Sequence, residues 1–193
     1  SLSIVPNRLS YLLDLRGPSV AIDTACSSSL VAIHQACSSL RSGESSIAIT
    51  GGVSLLLSSD TNTIFTQTGF LSTDGKCKTF DKDANGYVRG EGCGVLILKP
   101  LSEAVKDGDR ILALIKGSAV NQDGKSNGLT APNGLSQEDV IRSALKNAHA
   151  LPSDITYIEA HGTGTPLGDP IEVNSIKEVI TTGRAADNVC YIG

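Results

Sequence analysis

The 193-residue chain has no methionine and no tryptophan, and aromatic residues make up only 4% of it. Without a methionine there is no initiator, so the sequence reads as an internal piece of a longer chain. No apolar run approaches the roughly 20 residues of a membrane-spanning helix. The first residues lack the charged-then-apolar layout of a secretory signal. There is no Asn-x-Ser/Thr sequon and no Cys-x-x-Cys. The latter absence argues against a zinc knuckle or a dithiol redox pair. Five cysteines, odd in number and scattered at 26, 37, 77, 93 and 190, fit a reducing cytoplasm better than a disulfide framework. The net charge is −4 with both signs mixed along the chain, and no basic stripe points to nucleic acid.

What is present is small and apolar. Hydrophobic residues make up 40% and there are 20 glycines. The length suits one domain with a real core. Glycine-rich and serine-rich chains pack backbones closely, as layered α/β folds do. "SVAID" (19–23) alternates and reads as a strand. From Cys26 the period changes: Leu30, Ile33, Cys37 and Leu40 mark a helix face that Val31 and Ala36 widen, with Gly43 as its stop. Residues 45–57 read as a buried strand broken at Gly51-Gly52. Residues 58–92 read as a long irregular stretch with a short helix near 61–67. Strands are expected at 94–101 and 110–122. A capping-box-like start at Ser136 and Asp139 opens a helix to His149. A strand at 155–160 precedes a helix with Asp169 at its N-cap, Pro170 next and Glu172 third; Gly183 ends it, and "NVCYI" is the last strand. This alternation is α/β.

Two stretches could carry chemistry. In "DTACSSSL" (23–30), Cys26 sits where a strand turns into a helix. Unpaired N–H groups and the helix dipole there favour the nucleophilic thiolate, and the same groups can hold an oxyanion. The plainer reading is a small buried hydrophobe, the reading that also suits Cys37, Cys77, Cys93 and Cys190. In "EAHGTGTPLGDP" (159–170), His161 follows a strand and opens a glycine-rich loop, with Thr163 and Thr165 offering hydroxyls. An imidazole there can donate or accept a proton or hold an enolate oxygen; the plainer reading is a tight structural turn. "VAIDTAC" and "TYIEAHG" share a layout of apolar strand, acid and reactive residue. Ligands of open α/β sheets sit at such carboxyl ends. "DKDANGYVRGEG" (81–92) imitates a calcium loop, but its twelfth position is Gly92 where a bidentate Glu is needed. No metal site is expected, and no glycine-rich stretch fits a dinucleotide or P-loop frame.

Taken together, "DTACSSSL", "GYVRGEGCGVLILK" (86–99), "NQDGKSNGLTAPNG" (121–134) and "EAHGTGTPLGDP", in that order, resemble the β-ketoacyl synthase (ketosynthase) domain of modular type I polyketide synthases. Animal-type fatty acid synthases have similar motifs. The resemblance implies a thiolase-like αβαβα layered fold, incomplete here. Residues 1–193 would be part of one ketosynthase domain: the end of its N-terminal half and the start of its C-terminal half. It implies a decarboxylative Claisen condensation in which Cys26 takes an acyl chain from the phosphopantetheine arm of an acyl carrier protein. His161 would assist decarboxylation, and Thr163 and Thr165 would contact the arm. No cofactor would be bound directly. The partners implied are acyl carrier protein and a second copy in a homodimer within a larger multidomain synthase, with no nucleic acid and no membrane. The family's second histidine, in a Lys-x-Asn-x-Gly-His stretch, is not among these residues, nor is its glycine-rich oxyanion segment. The chain alone is therefore expected not to condense substrates. A non-elongating relative that only holds an acyl chain, and a cysteine hydrolase using Cys26 and His161, are the competing readings.

Overall fold

A computed structural model describes residues 2–193. In chain order the elements are α1 (Ile4–Leu12), α2 (Ser28–Arg41), β1 (Ala48–Ser54), α3 (Asp60–Gln67), β2 (Gly92–Leu98), α4 (Leu101–Lys106), α5 (Gly134–Ala148), a 3₁₀ turn (Pro152–Asp154), β3 (Tyr157–Ile158), α6 (Gly168–Ile180) and β4 (Tyr191–Ile192). They divide into two compact units, Ser1–Leu55 with Glu91–Leu114, and Leu56–Gly90 with Ile115–Gly193.

In the first unit β1 and β2 pair antiparallel, from Ala48 opposite Leu98 to Ser54 opposite Gly92, and α2 packs on β1. The strand runs unbroken through Gly51-Gly52, where the sequence reads as a break. Both glycines answer to close approach. A Cβ on Gly51 would run into the Gly94 carbonyl of β2, and one on Gly52 would lie 2.7 Å from Cβ of Ser29 on α2. Cys37 is the buried residue of α2, and Gly43, with φ of 75°, follows its C-cap. Leu30 is 70% exposed, so it lies off the helix's inward face, on which the sequence pattern puts it.

Residues 19–23 and 110–122 form no ladder despite their strand-like patterns. A strand needs a neighbour to take its N–H and C=O groups, and no described strand lies in register with either. Instead, at Gly117 the second segment presses so closely on the end of α5 that a Cβ would strike the Ala148 backbone.

In the second unit α5 packs against α6, and Ser175 of α6 donates to the Gly134 carbonyl at 3.1 Å. Helix α5 starts two residues before Ser136. Its cap is Asn133, whose side chain accepts from the Ser136 amide at 3.4 Å. β3 and β4 pair in parallel, Tyr157 opposite Tyr191. Arg184 fastens this pair to the end of α6. Its guanidinium donates to the carbonyls of Ile180, Asn188, Ile155 and Pro152. That staple fixes where β3 delivers the chain to His161.

Candidate functional site

Cys26 is exposed on the turn that enters α2, and its Sγ bonds to no described residue. The turn depends on Ala25, a non-glycine residue at φ of 57°. Such a conformation costs on the order of 1 kcal/mol and persists only when its surroundings hold it. Here they do. The Asp23 carboxylate accepts from the Ala25 amide at 3.1 Å. Ser28 donates to the Ala25 carbonyl at 2.6 Å and accepts from the Thr24 amide at 2.9 Å. Ser27 donates to the Thr24 carbonyl at 2.9 Å. The row of serines therefore divides its labour: Ser27 and Ser28 lace the turn, and Ser29 is small enough to pass Gly52. Of the other thiols, Cys37 is buried, Cys190 is half-buried, and Cys77 and Cys93 are exposed, so the buried-thiol reading fails for these last two.

His161, Thr163 and Thr165 share one loop of the second unit, between β3 and α6, and Cys26 belongs to the first unit. His161 is exposed. Its backbone is held by Glu172 of α6, whose two oxygens accept from the amides of His161 at 2.6 Å and Gly162 at 2.9 Å. Asp169, 5% exposed, holds the next section: Oδ1 accepts from Gly164 at 3.0 Å and Thr165 at 3.4 Å, and Oδ2 from Phe80 at 2.7 Å. It is thus a clamp on the loop, and the helix starts at Gly168 rather than after it. The Thr163 and Thr165 hydroxyls lie 3.0 Å apart, and that of Thr165 also accepts from the Gly168 amide at 3.1 Å.

The sequence reading missed Glu172 as a holder of the loop, taking it only as an acid near a helix start. It takes Cys77 only as a buried thiol and passes over Thr79 and Phe80. The signal available was the pair of acids three apart, Asp169 and Glu172, just after a glycine-rich loop with many amides to satisfy. Among the described residues no cluster of three or more His, Cys, Asp or Glu is placed to hold a metal ion.

An exposed thiol at a strained entry to a helix, and a histidine loop clamped by two carboxylates, are the two chemistry-bearing features of this α/β chain. Residues 1–104 match the family described as beta-ketoacyl synthase, N-terminal domain, and residues 112–193 match beta-ketoacyl synthase, C-terminal domain. The chain belongs to the β-ketoacyl synthase family. It is 58% identical over 193 residues to one component of the phenolphthiocerol/phthiocerol polyketide synthase of Mycobacterium tuberculosis H37Rv, spanning all of this chain and 10% of that protein. It is 55% identical over 187 residues to another component of the same synthase, again covering 10% of it. Among solved structures, the ketosynthase from module 6 of the bacillaene synthase of Bacillus subtilis 168 superposes with a TM-score of 0.97 at 46% identity, over 100% of this chain and 35% of that one. The oxazolomycin ketosynthase domain OzmH KS7 of Streptomyces albus JA3453 gives 0.95 at 43% identity, over 100% and 33%. The fold is accordingly the thiolase-like α/β fold of these ketosynthases.

Proposed function

We propose that this chain is part of one ketosynthase domain, the end of its N-terminal half and the start of its C-terminal half, acting in polyketide assembly. Cys26 attacks the thioester of an acyl chain carried on the phosphopantetheine arm of an acyl carrier protein. The acyl group passes to Sγ and the carrier thiol leaves with the proton. A malonyl-type thioester on a carrier then loses CO₂, and the enolate attacks the Cys26 thioester. The products are a β-ketoacyl thioester two carbons longer and the free Cys26 thiol. His161 assists the decarboxylation and holds the enolate oxygen, and Thr163 and Thr165 contact the pantetheine arm. Covalent capture divides one hard step into two easier ones. The single observation that supports this most is the exposed Cys26 thiol on a turn laced by Asp23, Ser27 and Ser28.

The polyketide assignment is supported by relatives named as polyketide synthases and ketosynthases. The reading of a partial domain draws on surface as well. Val95, Ile97 and Leu112 are among the large apolar side chains left uncovered. A cytoplasmic setting and a homodimer within a multidomain synthase complete the proposal.

The test is made on the full-length protein. It is incubated with an acyl thioester of a carrier protein, digested, and the Cys26 peptide weighed; malonyl carrier is then added and the product analysed. Acyl mass on Cys26 followed by a β-ketoacyl thioester is expected, with Cys26→Ala abolishing both. Loading without elongation would make it an acyl-holding domain. Release of free acid would make it a hydrolase.

A further inference from the structure

The loop that carries His161, Thr163 and Thr165 is secured from a second side, by a segment its sequence neighbourhood gives no hint of. Three successive carbonyls of the loop each receive a donor from residues 77–86. Thr79 donates its hydroxyl to the Gly162 carbonyl at 2.6 Å. The Cys77 thiol donates to the Thr163 carbonyl at 3.4 Å. The Gly86 amide donates to the Gly164 carbonyl at 2.9 Å. The same segment gives its Phe80 amide to Asp169, which also holds the Gly164 amide. Glu172 fixes the peptide planes on either side of His161, and residues 77–86 fix those that follow.

Thr79 is the centre of this strap because both branches of its side chain are used. Its hydroxyl orients the Gly162–Thr163 peptide. Its Cγ2 methyl lies 2.6 Å from where a Cβ on Gly162 would be, so it fills the space that glycine leaves. Gly162 has φ of 51°. A glycine in that region turns freely unless both its peptide groups are held. Its amide is held by Glu172 and its carbonyl by Thr79.

We propose that Thr79 is a positioning residue for the thioester-binding threonines. By holding the Gly162 carbonyl it sets the direction of the Thr163 peptide, and with it the Thr163–Thr165 hydroxyl pair. This rests on the reading that these threonines meet the pantetheine arm. Thr79 touches no substrate. Its loss weakens the grip on the pantetheine arm that delivers the thioester.

Two variants of the full-length protein test it. Thr79→Val keeps the shape and loses the hydroxyl; Thr79→Ser keeps the hydroxyl and loses the methyl. Hydrogen–deuterium exchange of the peptide spanning 159–167 and the KM and kcat for malonyl carrier are measured together. In Thr79→Val, exchange of this peptide rises and KM rises about ten-fold, with kcat changed less than about two-fold, the signature of lost binding worth roughly one hydrogen bond. Thr79→Ser stays near the parent in both. Unchanged exchange in Thr79→Val would overturn the proposal, as would equal loosening by both variants or a fall in kcat with KM constant. If the parent makes no condensation product, the ketosynthase reading fails, and the exchange comparison still decides whether Thr79 holds the loop.

Discussion

Glu172 and His161 meet through the backbone: the carboxylate of the first accepts the amide of the second at 2.6 Å, and that of Gly162 at 2.9 Å. A residue on α6 thereby sets the orientation of a side chain eleven positions earlier without touching it. Glu172→Gln keeps one acceptor and turns an NH₂ toward the other amide. The expected cost is about 1–3 kcal/mol of stability, because a donor is left facing a donor. Denaturant unfolding measures it. In the full-length protein, elongation should fall, because the loop that carries His161 is loosened.

The turn at Cys26 makes its own prediction. Ser28 bonds both the Ala25 carbonyl and the Thr24 amide, and Ala25 holds a φ of 57° only while the turn is laced. Ser28→Ala should slow alkylation or acylation of Cys26 about ten-fold, equivalent to about 1.4 kcal/mol on the barrier. Cys37, 7% exposed, should stay resistant to alkylation in parent and variant alike. Mass spectrometry of iodoacetamide-treated protein reads both cysteines at once. Rapid labelling of Cys37 in the variant would mean that α2 had unravelled and that Ser28 matters to the helix more than to the turn.

What the sequence discloses here is local and what it conceals is distant. The periodicity of Ile33, Cys37 and Leu40 marks α2, and Val140, Ile141, Ala144 and Leu145 mark α5, because helix faces repeat within a few residues. The cap of α5 is misplaced because Ser136 and Asp139 imitate a box, while Asn133 wins by fitting a loop tied to Asp123 at 3.1 Å. Gly51-Gly52 looks like a break because the atoms that need the space, on Gly94 and Ser29, lie far along the chain. Asp169 reads as an N-cap, yet it lies inside α6 and bonds the Phe80 amide 89 positions away. The strand patterns at 19–23 and 110–122 are honest signals of side-chain alternation, but ladders require neighbours that periodicity does not report. The candidate residues themselves were legible as motifs; the clamps and strap that hold them were not.

Acid should reveal a smaller element near the strap. Lys78 donates to Asp74 at 2.7 Å and Ser72 donates to it at 2.5 Å. The ion pair first, and the hydroxyl second, hold the Asp74 carboxyl well below the usual carboxylate range. A carboxyl depressed on folding contributes stability that is fully present above its unfolded value, about 3.9. That contribution is lost as pH falls through the lower folded value. A carbon-detected NMR titration should find Asp74 still ionised where ordinary aspartates have taken up protons. Lys78→Ala should move its midpoint upward, and salt should narrow the difference because the pair is exposed.

The contact between Ser29 and Gly52 can be tested by exchanging which partner carries the carbon. Gly52→Ala places a Cβ 2.7 Å from Cβ of Ser29, so either α2 must lift from β1 or the strand must shift. Overpacking of this kind costs about 1–3 kcal/mol. Ser29→Gly alone should cost about 0.5–1 kcal/mol, the penalty of glycine in a helix. Were the two sites independent, the double variant would lose the sum. Because Ser29 Cβ is the atom struck, Ser29→Gly removes the clash, and the double variant should recover at least about 1 kcal/mol of that sum. Urea unfolding of the four proteins closes the cycle. Simple additivity would mean that the strand yields at Gly52 without involving α2. The glycine pair would then serve the Gly51–Gly94 approach alone.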